Sequence, residues 1–150
     1  MLARSNDQGR TWSAPVRVGR TTTTVFPWVS AGDSGRIAVS YYGTNARGAS
    51  PQTVPAGSPW YVYSAYSTDG GRTFTEYRTT GVMQKGPICT SGTGCAAGSR
   101  NLLDFFATAV DARGCLVTAY ADNNAGGQDA IVSYVRQTSG PGLRAGMNCR

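Results

Sequence analysis

The side chains able to do acid–base or nucleophilic chemistry are few. The 150 residues contain no histidine, eight acidic residues, eight tyrosines and four cysteines. Two of the acids sit in copies of one octet. Ser5-Asn6-Asp7-Gln8-Gly9-Arg10-Thr11-Trp12 recurs 62 residues later as Ser67-Thr68-Asp69-Gly70-Gly71-Arg72-Thr73-Phe74. Both read Ser-x-Asp-x-Gly-Arg-Thr-aromatic. An Asp two residues before a Gly can fold its carboxylate back onto neighbouring backbone N–H groups, while the Gly supplies a positive φ. The Ser and Thr hydroxyls add local hydrogen bonds, and the aromatic ring is expected to tuck beneath the turn. Asp7 and Asp69 therefore read as turn-makers rather than catalytic acids.

The lack of histidine removes Ser-His and Cys-His catalysis and the common His-containing metal sites. Cys89 and Cys95 lie in Gly86-Pro-Ile-Cys-Thr-Ser-Gly-Thr-Gly-Cys95, which has the look of a small disulfide-closed loop. Their spacing is not that of a zinc pair, and no metal or cofactor is expected. Cys115 with Cys149 would be the remaining bridge, although four cysteines allow three pairings. An even count in such a sequence favours an oxidising, extracellular setting. The beginning, Met1-Leu-Ala-Arg-Ser5, has no apolar signal core, and no stretch reaches transmembrane length. With the first octet starting at the fifth residue, the chain reads as a piece of a larger secreted protein.

Twenty glycines are about twice the usual share of about 7%. With abundant Thr, Ser, Tyr and Val they favour short strands and tight turns. The net charge of +6 is almost all arginine, thirteen against the single Lys85. These arginines are scattered singly, which is not the clustered footprint of a nucleic-acid binder. Guanidinium groups suit carboxylate or phosphate recognition, and an acidic sugar is compatible with that.

Alternation then places the elements. Ser13–Val18 reads as a short outer strand, with Pro15 tolerable at an edge. Phe26–Ser30, Arg36–Tyr42, Trp60–Tyr66 and Thr73–Tyr77 read as four strands of one unit, with Ile37, Val39 and Tyr41 on one face. The order restarts with Phe105–Val110, a turn at Asp111–Gly114, alternation of Leu116, Thr118 and Tyr120, and a strand at Ala130–Arg136. Leu102, Leu103, Phe106, Ala109 and Val110 also fit helical spacing, but the place of Phe105–Val110 in the repeat favours a strand. Where a third octet is due, the chain reads Gln137-Thr-Ser-Gly-Pro-Gly142, with Ser139 at the Asp position. Four-strand units with a turn motif before the fourth strand read as blades of a β-propeller. The expected fold is all-β, about two and a half blades of four antiparallel strands. Residues 1–20 would end one blade, 21–80 form a complete one, 81–143 a further one with a degenerate octet, and 144–150 a tail. Too few blades to close leave their terminal faces to be covered by further blades or another chain.

The paired octets, through Ser5, Asp7, Gly9, Thr11 and Trp12 and through Ser67, Asp69, Gly71, Thr73 and Phe74, resemble the Asp box of bacterial-neuraminidase-type repeats. The chain is thereby similar to the sialidase superfamily. That resemblance implies an exo-sialidase-type glycoside hydrolase acting on terminal sialic acid or a related sugar of glycans, or else a non-catalytic propeller that binds glycan or protein. In the family, three arginines hold the substrate carboxylate, a Tyr paired with a Glu is the nucleophile, and an Asp is acid/base. The sequence departs from this in two places. The Arg-Ile-Pro signature is absent, and the one glutamate, Glu76, falls on an outermost strand, so no Tyr/Glu pair is expected and the chain alone reads as inactive. Arg100 and Asp104, at the start of an innermost strand, and Tyr120 are the candidate pocket residues, with mutual pairing and core packing as the plainer roles. Tyr41, Tyr42, Trp28 and Trp60 are further sugar platforms or packing residues. The oxygen-rich Asp122–Asp129 loop is a hairpin turn or a calcium loop without EF-hand spacing.

Overall fold

The structure, a computed structural model, describes residues 1–48, 50–99, 102, 105–124 and 131–150. Among these the chain is all-β, with one 3-10 turn at Gly92–Gly94. The strands are β1 (Thr23–Ala31), β2 (Ile37–Thr44), β3 (Pro59–Ser67), β4 (Thr75–Arg78), β5 (Gln84–Lys85), β6 (Phe106–Val110), β7 (Leu116–Asp122) and β8 (Ile131–Arg136). One antiparallel sheet runs β1-β2-β3-β4, with β5 also on β3. The other runs β6-β7-β8.

The two sheets repeat one register. Ala31 pairs with Ile37 and Val110 with Leu116, across equivalent turns closed by Asp33 and Asp111. Farther along, Ala38 pairs with Tyr66 as Val117 pairs with Arg136. β2 is buried along nearly its whole length because both its faces are covered. Tyr42, Trp60 and Val62 point to the second sheet and form a core with Phe106, Tyr120 and Leu102. Ser30 and Thr108 share a hydrogen bond across this interface. Val39, Tyr41, Tyr63 and Ala65 point the other way, onto Val18, Leu2 and Phe74. The sheets thus stack face to face, and the N-terminal segment covers the outer face of the first.

Several expectations change. Ser13–Val18 is not a strand: the segment makes one isolated bridge, Leu2 with Val16, because Pro15 lacks a donor and nothing further aligns. The strand expected over Phe105–Val110 does form, as β6 from Phe106; Phe106 faces the core while Ala107 stays exposed, the alternation of a strand. β1 begins at Thr23 and carries an irregularity between Val25 and Trp28. There Phe26 takes φ +52° and Pro27 has no N–H to give the ladder. Trp12 lies 65% exposed rather than tucked beneath its turn, whereas Phe74 packs inward. The short β5 has no counterpart in the sequence reading.

The C-terminal segment folds back onto the turns. Asp33 N–H donates to the Leu143 carbonyl (2.8 Å), and Leu143 N–H donates to the Gly114 carbonyl (2.6 Å). A Cβ on Gly32 would lie 1.9 Å from the Leu143 oxygen, so only glycine admits this approach.

Candidate functional site

The octets build two near-identical turns. Ser5 Oγ donates to Asp7 Oδ1 (2.8 Å), and Gly9 N–H donates to Ser5 Oγ (2.7 Å). Thr11 gives its N–H to Asp7 Oδ1 (2.9 Å) and its hydroxyl to Oδ2 (2.6 Å). In the second copy Ser67 Oγ donates to Asp69 Oδ1 (2.7 Å), Gly71 N–H to Ser67 Oγ (2.8 Å) and Thr73 Oγ1 to Asp69 Oδ2 (2.6 Å). Arg72 N–H adds a bond to Asp69 Oδ1 (2.9 Å). The Thr11 hydroxyl and N–H, with Ser5, hold the Asp7 pKa down to about 2. The Thr73 hydroxyl and N–H, with Ser67, push Asp69 lower still. Carboxylates so firmly ionised and so fully engaged do not exchange protons near neutral pH. Trp12 Nε1 donates to the Gly9 carbonyl (3.1 Å), which keeps the exposed ring beside its own turn.

A Tyr/Glu pair does form, contrary to expectation. Tyr41, on β2, donates its hydroxyl to Glu76 Oε1 on β4, because both side chains leave the same face of the sheet. Glu76 also accepts from the Thr21 hydroxyl, from Arg20 N–H (2.9 Å) and from Thr21 N–H. Burial works to raise the Glu76 pKa, but the bonds from Thr21, Tyr41 and Arg20 outweigh it and leave it below the usual value. Tyr41 is 4% exposed. Burial first, then the hydrogen bond to Glu76 and its charge, push the Tyr41 phenol far above its usual pKa. A nucleophilic tyrosine needs the reverse, an accessible oxygen whose ionisation is eased. This pair is a clamp that ties residues 20 and 21 to β4. Gly19 makes it possible, since a Cβ there would lie 1.9 Å from the Tyr41 hydroxyl.

Of the other expected residues, those described lie mostly in the core. Arg100 and Asp104 lie outside the described residues, as do residues 125–130 of the loop after β7. Tyr120 is buried at the sheet interface, with its pKa raised chiefly by burial. Tyr42 is fully buried beside it, its hydroxyl accepting from Ala121 N–H (2.9 Å). Trp60 is a core residue whose Nε1 donates to the Gly86 carbonyl (2.8 Å). Trp28 is 46% exposed. Asp122 accepts from Asn124 N–H (2.9 Å), a local turn bond, and no metal-ligating cluster forms among the described residues. Cys89 is bridged to Cys95 and Cys115 to Cys149.

One feature escaped the sequence reading. Between the outer parts of the two sheets lies a groove of about 460 Å³, lined among others by Ser64, Tyr66, Thr75, Tyr77, Thr118 and Val135. Tyr66 and Tyr77 meet edge to face at 6.1 Å on its floor, and burial pushes the Tyr66 phenol up to about 12. At the upper end Arg136 Nε pairs with Asp111 Oδ2 at 2.8 Å. The groove exists because β3 carries β4 while β8 carries no described strand on its outer edge. The degenerate third octet was its sequence signal, since that motif leads into the fourth strand. Among comparisons, the chain matches no protein-family model, no curated protein sequence and no solved structure.

Proposed function

We propose that the chain is part of a secreted Asp-box propeller of the sialidase type, supplying scaffold to a glycan-cleaving parent protein. The observation that supports this reading is the repeated register. Each sheet presents the same turn and the same alternation, and the second stacks on the first as one blade stacks on the next. Two octet turns with one hydrogen-bond pattern add to it. In this reading residues 1–150 hold blades in place, and the groups that bind and cleave a sialoside come from elsewhere in the parent. The test sets the protein as secreted by its source beside the 1–150 chain, with a fluorogenic sialoside as substrate. Release by the first and none by the second is the expected result. No release by either overturns the hydrolase.

A non-catalytic propeller that binds glycan or protein is the second reading. It is favoured by Glu76, the one glutamate, being consumed in a structural clamp. Retention on immobilised sialoglycans without hydrolysis is the outcome that selects it.

A further inference from the structure

We propose that the free edge of β8 binds a single extended polypeptide strand in trans, antiparallel, as a fourth strand of the second sheet. The proposal stands apart from the sialidase reading and needs only the backbone geometry. Gln137 N–H donates to the Leu116 carbonyl (2.8 Å), which makes those two residues a hydrogen-bonded pair. Hydrogen-bonded and non-bonded pairs alternate along an antiparallel ladder. With Val117 opposite Arg136 and Thr118 opposite Val135, the amides of Val135 and Ser133 point to β7. Those of Val132, Tyr134 and Arg136 point outward. Among the described residues no strand pairs with that edge.

The first sheet shows what fits there. Thr79 N–H donates to the Val62 carbonyl (2.9 Å), so by the same alternation Val62, Ser64 and Tyr66 turn their backbone groups to β4. Tyr66 stands opposite Ala38, and Arg136 opposite Val117, the equivalent residue of β7. Val132, Tyr134 and Arg136 thus occupy the positions of Val62, Ser64 and Tyr66. Among the described residues, the edge that β4 fills in one sheet is open in the other.

The space beside β8 is shaped for one strand. Its wall is Val135 and its floor is Tyr66, Thr75 and Tyr77 of β3 and β4. β4 is the outermost strand of its sheet, so the floor extends one strand beyond β8 and no farther. A strand laid there would extend the interface already made by Tyr42 with Phe106 and by Ala38 with Leu116. The edge is weakly protected: β8 carries no proline, and its one charge, Arg136 at the end of the strand, is paired with Asp111. The occupant suited to it resembles β4, an extended segment whose groove-turned face holds the positions of Phe74, Glu76 and Arg78, since Thr75 and Tyr77 share the face of Tyr66 and Ser64.

The probe is a labelled, end-blocked peptide copying Thr73–Thr80, added to the intact 1–150 chain. Saturable binding should slow hydrogen exchange at the amides of Val132 and Tyr134. Thr75, Tyr77 and Thr79 turn their N–H groups to β3, so N-methylation of the peptide at the position of Tyr77 should weaken binding at least about tenfold, as loss of an inter-strand bond and its close approach requires. N-methylation at the position of Glu76 should leave binding within about twofold, since that group faces solvent. These two peptides leave the protein unaltered, so misfolding does not confuse the comparison. Absence of binding, equal binding by both methylated peptides, or slowed exchange away from β8 overturns the proposal. Concentration-dependent dimerisation that alone protects Val132 and Tyr134 overturns it in favour of a second copy.

Discussion

Asp7 and Asp69 show how a carboxylate can be conspicuous in sequence and have no catalytic use. Each accepts from a hydroxyl on one oxygen and from a backbone N–H on the other. A carboxyl held below its unfolded pKa stabilises the fold above that unfolded value, and the contribution is lost as pH falls through the folded value. For Asp7 the window runs from 3.8 down to about 2, and for Asp69 it reaches lower. Stability should therefore decline steadily below pH 4, and Asp7→Asn with Asp69→Asn should flatten that decline. Urea midpoints at pH 7, 4 and 2.5 check this; unchanged pH slopes in the double variant would refute it. Asp69→Asn should lower the midpoint more than Asp7→Asn, because Ser67 and Gly71 of its turn are buried while the first turn is largely exposed. The clamp makes a second prediction. Glu76→Ala strands the buried Tyr41 hydroxyl and should destabilise by about 1–3 kcal/mol. Tyr41→Phe removes one donor of several to Glu76 and should cost about 1 kcal/mol, with no effect on sialoside release if the proposed larger protein shows it. A large loss of release in Tyr41→Phe at unchanged stability would make this tyrosine catalytic after all.

At the scale of elements, strands with clean alternation were legible and the irregular ones were not. Ile37, Val39 and Tyr41 alternate with Ala38, Ser40 and Tyr42, and β2 follows them. Ser13–Val18 has the composition of a strand but no aligned partner beyond Leu2. A strand is defined by its neighbour, which local sequence does not specify. The Tyr41–Glu76 contact was missed for a similar reason: it joins residues of β2 and β4 across β3, and only the register brings them together. The C-terminal fold-back is likewise a tertiary event. Gly32→Ala should expel it, since the new Cβ meets backbone rather than a movable side chain. Faster amide exchange at Asp33 and Leu143, with β2 and β3 still protected, is the expected outcome. Equal exchange rates would show that the segment docks by other means.

For the whole molecule the decisive property is unequal covering of the sheet faces. The first sheet is sandwiched between the N-terminal segment and the second sheet. The far face of the second sheet bears Ala107, Ala109, Val117 and Ala119, with Val132 at 77% and Tyr134 at 75% exposure. A contiguous apolar face of this kind associates or binds hydrophobic dyes. The 1–150 chain should enhance the fluorescence of an anilinonaphthalene dye, and Val132→Lys with Tyr134→Lys should reduce that signal without lowering Tm. The Cys115–Cys149 bridge spans 34 residues and fastens the tail to the second sheet. Its removal as a Ser pair should destabilise by about 2–4 kcal/mol, read from denaturant midpoints. A change below about 0.5 kcal/mol would mean the tail is held by Leu143 and its neighbours alone.

The octets, the glycine-rich composition and the period-two stretches were enough by themselves to determine an all-β chain and the two octet turns. These are local properties: a turn closed by its own Asp, Ser and Thr forms at both copies of the octet. Which residues meet across sheets was decided by tertiary structure alone. Register turned Glu76 from an unpaired outer-strand acid into the acceptor for Tyr41, buried Tyr120 in an interface, and left β8 with an edge that no strand pairs among the described residues. Those outcomes depend on what stacks on what, and stacking is set by the summed burial of whole faces rather than by any one motif.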